Sequence, residues 1–100
     1  MCIRDRFIAG TELPVVVDCW AEWCGPCRMM TPQFEKAAAM LPEVRFVKLD
    51  TEAALQQSAR YGIRSIPTML LFLDGQEIAR ESGAMPAPAI VEWLRKQLLG

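Results

Sequence analysis

The chain has 100 residues, 52% hydrophobic and 23% charged, with 11 basic against 12 acidic side chains and a formal net charge of -1. That size holds one domain, and the balance is that of a folded globular chain. It lacks the basic excess of a nucleic-acid binder or of a protein drawn to an anionic membrane, and apolar runs such as Met69 to Leu73 are far too short to span a bilayer. Histidine is absent, which removes Cys–His and Ser–His catalysis, histidine-ligated metal sites and imidazole acid–base chemistry. Any chemistry here rests on Cys, Asp, Glu, Lys or Tyr.

The first residues, Met1-Cys2-Ile3-Arg4-Asp5-Arg6, follow neither a helical nor a strand period and lack the apolar stretch of a signal peptide. They read as an assembly scar, the remnant of a truncated start, or an ordinary frayed terminus. Val15 to Trp20 is a β-branched, nearly continuous apolar run, as in a strand covered on both faces. From Pro26 the spacing of Met30, Phe34, Ala37, Ala38 and Leu41 is that of one helix face, with Pro32 inside to kink it and Pro42 to end it. Val44 to Leu49 predicts a second strand, and Glu52 to Arg60 a short helix terminated by Gly62. Met69 to Leu73 and Glu77 to Glu81 flank Asp74-Gly75, a strong hairpin signal. Ala87 to Leu99 sets Ile90, Val91, Leu94 and Leu98 on one stripe opposite Glu92, Arg95 and Lys96, an amphipathic helix. The order predicts an α/β sheet with parallel strands joined by helices and an antiparallel hairpin at one side.

The cysteines are Cys2, Cys19, Cys24 and Cys27, too few and too uneven for a disulfide framework. Cys24 and Cys27 form a Cys-x-x-Cys directly after a strand and at the start of a helix. Unpaired N–H groups and the helix dipole favour an anion there, and a thiolate is the attacking form of a thiol. Cys27 follows one turn later, within reach of a disulfide with Cys24 after a mixed disulfide forms. Gly25 and Pro26 allow the tight turn and then stiffen it. A structural zinc site, with its usual four ligands, a c-type haem, with histidine where Arg28 stands, and an inert pair of core thiols are the alternatives to a redox pair. Asp18 is a carboxylate in an otherwise apolar strand, so it either pairs, with Lys48 on the next strand, or keeps a raised pKa.

The segment Trp20-Ala21-Glu22-Trp23-Cys24-Gly25-Pro26-Cys27-Arg28-Met29 resembles the active-site segment of thioredoxins. Pro32 falls where the family has its helix-kinking proline, Gly62-Ile63-Arg64-Ser65-Ile66-Pro67-Thr68 resembles its cis-proline loop, and Asp74-Gly75 and Ser82-Gly83-Ala84 match further landmarks. The wording at Arg28-Met29-Met30 and Lys48-Leu49-Asp50-Thr51-Glu52 is similar to the bacterial thioredoxin-2 type. The resemblance divides the chain into a non-matching or truncated segment, 1–12, and a thioredoxin-like domain, 13–100. It implies a three-layer α/β sandwich: a mixed sheet with parallel strands and a C-terminal antiparallel hairpin, helices on both faces.

The same resemblance implies protein-disulfide reduction by Cys24 and Cys27, with Asp18 as proton acceptor for Cys27 and Lys48 beside it. Pro67 is implied to be cis and to line a groove beside Cys24, where a substrate segment adds as a strand. Trp23, Gly62, Ile66, Gly83 and Ala84 complete an apolar rim together with Gly25 and Pro26, while Trp20 packs over the disulfide. No cofactor or metal binds the chain itself; a reductase flavoprotein drawing on NADPH restores the dithiol. Disulfide-bearing proteins and that flavoprotein are the expected partners of a cytoplasmic monomer, with no nucleic acid or membrane partner. Rival readings are an oxidant or isomerase, whose spacer often carries histidine rather than Gly25-Pro26, and a docking module that keeps the fold alone. Departures from the family are Cys19, where an aromatic residue is usual, an exposed Cys2, no upstream zinc-binding segment, and a start reduced to a helix tail around Phe7 to Ala9. A shortened start leaves sheet surface uncovered, so lower stability than a full-length relative is expected.

Overall fold

A computed structural model describes residues 13–99. The readings of segment 1–12, of the helix tail at Phe7 to Ala9 and of Cys2 lie outside the described residues. The chain runs β1 (Val15–Trp20), α1 (Gly25–Met40), β2 (Arg45–Asp50), α2 (Leu55–Arg60), β3 (Thr68–Leu73), β4 (Gln76–Ser82) and α3 (Ala87–Leu99). The strands form one sheet in the order β2-β1-β3-β4. β1 and β2 are parallel, joined across α1, and set Asp18 opposite Lys48. β3 runs antiparallel to β1 and hairpins into β4, so among the described residues the parallel part of the sheet is that single pair. The hairpin turns at Asp74 and Gly75, whose φ values of 54 and 83° are both in the left-handed region, as a turn matched to strand twist requires.

Strand alternation sends side chains to two cores. Val16, Met69 and Leu71 meet Met30, Phe34 and Ala37 of α1 and Ile90, Val91 and Leu94 of α3 on one face. Val15, Val17, Cys19, Leu70 and Phe72 face the other way, beneath Ala54, Tyr61, Ile63 and Ile66. The sheet is thus covered on both sides, and both faces of β1 are buried.

Several boundaries differ from the sequence reading by a residue or more, and two of them have a visible cause. The short helix begins at Leu55 rather than Glu52, because Asp50 Oδ1 accepts the N–H groups of Glu52 at 2.9 Å and Ala53 at 3.3 Å. That side chain offers the backbone a turn in place of a helix. The second strand begins at Arg45, whose N–H donates to the Pro14 carbonyl at 2.8 Å, while Val44 N–H donates to Leu41 in the turn closing α1.

Candidate active site

β1 delivers the chain to the rim of the sheet, and a short turn after Trp20 starts α1. Cys24 N–H donates to the Ala21 carbonyl at 3.1 Å, which closes that turn. Cys24 is the N-cap of α1, extended at φ -89°, and its Sγ accepts the Cys27 N–H at 3.2 Å. Pro26 occupies the first turn, where it forfeits no helical bond, and no acidic residue stands there to oppose a thiolate. Cys24 and Cys27 are joined as a disulfide, with Cα atoms 5.2 Å apart. Both residues are buried, but Cys24 keeps 4% of its surface exposed and Cys27 keeps none. Among the described residues no three of Cys, Asp and Glu gather as a metal site requires.

Asp18 sits on the α1 side of β1, two residues beyond Val16 and so on the same face. It is fully buried, and neither carboxyl oxygen has a hydrogen-bond partner. Of the two readings of Asp18 left open by the sequence, the ion pair with Lys48 is not formed. Lys48 is exposed, donates to Thr31 Oγ1 at 3.1 Å and lies 4.7 Å from the Trp20 ring centroid. Burial pushes the Asp18 carboxyl up to about 6, against an opposing pull from the Lys48 charge.

Some of the expected residues meet at the disulfide and others are tied to it through their loops. Ile66 and Trp20 pack against the cluster of Ala21, Cys24 and Cys27, and Cys24 Sγ lies 3.8 Å from the Ile66 carbonyl oxygen. The Ile66–Pro67 bond is cis, and the Pro67 carbonyl accepts the Gly83 N–H at 2.9 Å, which ties the two loops. Gly83 has φ 100°, a conformation that favours glycine. Gly25, Pro26, Gly62 and Ala84 are exposed, Pro67 is buried, and Trp23 is 67% exposed. A groove of about 180 Å³ is lined by Trp23, Thr51, Ser65 and Ile66 among others. A groove of about 560 Å³ lined by Leu13, Leu41, Val44 and Leu98 shares no residue with this surface.

Three contributors escaped the sequence reading. Glu52 Oε2 accepts the Trp23 indole N–H at 2.7 Å. Arg28 donates from two nitrogens to the Glu22 carbonyl, at 3.1 and 2.9 Å, and so braces the turn before Cys24. Thr31 takes the Lys48 ammonium. No spacing rule marks these partners, since the first and last join separate elements.

A bonded cysteine pair at a strand-to-helix junction, its first member capping the helix and the more exposed of the two, on a sheet covered on both faces, defines a thiol–disulfide oxidoreductase. Comparison with known proteins agrees. The family model described as Thioredoxin matches residues 5–96, and the chain belongs to the thioredoxin family. It is 49% identical over 94 residues to Thioredoxin C-3 of Corynebacterium nephridii, covering 94% of this chain and 65% of that protein. The chain therefore spans just under two thirds of that relative's length. Identity is 45% over 82 residues to Thioredoxin of Chlamydia muridarum, covering 82% of this chain and 80% of that one. It is 41% over 92 residues to Thioredoxin of a Synechocystis species, covering 91% and 86% respectively. No described helix is long and apolar enough to cross a membrane.

Proposed function

We propose that the chain reduces disulfide bonds of partner proteins through a dithiol–disulfide cycle of Cys24 and Cys27. The observation that carries this reading is the unequal placing of the pair: Cys24 caps α1 with its sulfur under the Cys27 N–H and keeps some exposed surface, while Cys27 has none. In the reduced chain that N–H and the helix dipole stabilise the Cys24 thiolate. The thiolate attacks one sulfur of the partner's disulfide, and the other sulfur leaves as a thiolate. Asp18 takes the proton of Cys27, whose sulfur then attacks Cys24. The Cys24–Cys27 disulfide forms, the partner departs as a dithiol, and two electrons have passed to it. Trp23, Gly25, Pro26, Ile66, Pro67 and Gly83 form the surface on which an extended partner segment lies, and Lys48 acts on Asp18.

A flavoprotein reductase carrying electrons from NADPH returns the pair to the dithiol. The Gly25-Pro26 spacer suits a reductant, and with it a cytoplasmic, monomeric protein. The wording at Arg28 to Met30 and Lys48 to Glu52 supports the thioredoxin-2 type within the family. The test is a redox titration against dithiothreitol, read by thiol trapping and mass. A two-electron transition of Cys24 and Cys27 well below the glutathione couple supports a reductant, and one well above it makes the chain an oxidant. Cys27→Ser, incubated with a disulfide protein, accumulates a mixed disulfide at Cys24; attachment elsewhere sinks the assignment of roles.

A further inference from the structure

Asp18 and Lys48 hold paired positions on β1 and β2, where side chains project to the same face of the sheet. Opposite charges so placed meet by default, and the cation then holds the carboxylate ionised. Here the carboxyl oxygens are buried without a partner, while Lys48 Nζ is 3.1 Å from Thr31 Oγ1 and 4.7 Å from the Trp20 ring centroid. Thr31 is suited to take it. Its hydroxyl proton goes to the Cys27 carbonyl at 3.2 Å, which leaves the oxygen's lone pairs for the ammonium.

We propose that Thr31 is a positioning residue, holding the Lys48 ammonium at the Trp20 ring and off the Asp18 carboxyl, so that the carboxyl stays unpaired and able to take the Cys27 proton. The proposal rests on the role given to Asp18 above. From β3, Met69 stands opposite Asp18, and α1 brings the Cys24–Cys27 disulfide and Thr31, none of them charged. Cys19, the neighbour on β1, stays protonated, its thiol pushed up to about 12 by burial first and then by the charge of Asp18. Among the described residues Lys48 is thus the one charge that acts on this carboxyl. An ammonium released from Thr31 and drawn to Asp18 favours the ionised form and makes it a weaker base.

The experiment follows the Asp18 carboxyl carbon by NMR against pH in the disulfide form, where Cys24 and Cys27 do not titrate. Thr31→Val lowers the midpoint by about one pH unit or more. Thr31→Ser, which keeps the hydroxyl, retains the wild-type midpoint. In a Lys48→Met background Thr31→Val changes nothing, because the hydroxyl acts only through the ammonium. A Thr31→Val midpoint equal to wild type, or a shift that persists without Lys48, overturns the proposal. Thr31→Ala removes the same hydroxyl and carries the same two outcomes if valine disturbs the fold. The rate of mixed-disulfide resolution, read on the same variants, separates the two claims. A shifted midpoint that the rate ignores leaves Thr31 as assigned and removes Asp18 from proton transfer.

Discussion

Trp23 donates its indole N–H to Glu52 at 2.7 Å, across 29 residues of sequence, and so lies fixed beside the disulfide although two thirds of its surface is open. The bond joins the turn before α1 to the turn after β2. A large aromatic held in one orientation loses less entropy when a partner covers it. Glu52→Ala frees the ring. The expected outcome is a several-fold higher KM for a protein disulfide, with an unchanged rate toward a small aromatic disulfide and a shifted Trp23 indole resonance. Equal KM values for both proteins remove Trp23 orientation from substrate binding.

Asp18 makes stability depend on pH. Its carboxyl is raised to about 6 in the fold from an ordinary 3.8, so between those values the folded chain binds more protons than the unfolded one. Stability is therefore highest below about pH 4 as far as this group is concerned, and falls as pH rises through 6. The size is about 3 kcal/mol, from two pKa units at roughly 1.4 kcal/mol each. Asp18→Ala should abolish this slope and gain stability at pH 8 relative to wild type, measured by urea unfolding across the range. A parallel slope in the variant assigns it to other groups.

The same carboxyl must be ionised to accept a proton. The Cys27 step is expected to slow as pH falls through about 6 in the wild type and to be slow throughout in Asp18→Ala. Stopped-flow release of a partner from its mixed disulfide with Cys24 measures it. Identical profiles for the two proteins take Asp18 out of the step.

Phe34 ties α1 to the sheet. It is 2% exposed and meets the ring of Phe46 edge to face at 5.0 Å between centroids. Phe34→Ala should cost about 3–5 kcal/mol, by lost burial and a cavity in a core shared by α1 and α3. Denaturant midpoints check it, and a loss below about 1 kcal/mol means the core closes over the gap.

Cys19 is a buried free thiol on the face of β1 away from α1, with its pKa pushed up to about 12 chiefly by burial. A thiol that does not ionise does not react. After reduction, iodoacetamide at pH 8 should leave Cys19 unmodified in the folded chain and label it in urea, as peptide masses report. Labelling in the fold at the pace of Cys24 contradicts this burial.

Much of the fold is legible in the order of the amino acids. Val15 to Trp20 is apolar on both faces because both are covered, α1 follows the spacing of Met30, Phe34 and Ala37, and the apolar stripe of α3 marks that helix over its whole span, Ala87–Leu99. Asp74-Gly75 declares its turn because both residues tolerate positive φ. The redox pair is equally plain, since its chemistry depends on local features, namely two cysteines one turn apart and a helix N-terminus.

What the sequence determined by itself is therefore what acts over a few residues: element type, the dithiol and the acidic residue buried in an apolar strand. Which group answers which charge was decided only by packing. The sequence left open whether Asp18 pairs with Lys48 or keeps a raised pKa; in the fold Thr31 on α1 reaches the ammonium and the carboxyl is left bare. Likewise Asp50 spends its carboxylate on two N–H groups, and Glu52 receives Trp23. A hydrogen bond is made within about 3 Å of space, whatever the distance along the chain, so its choice of partner waits on the fold.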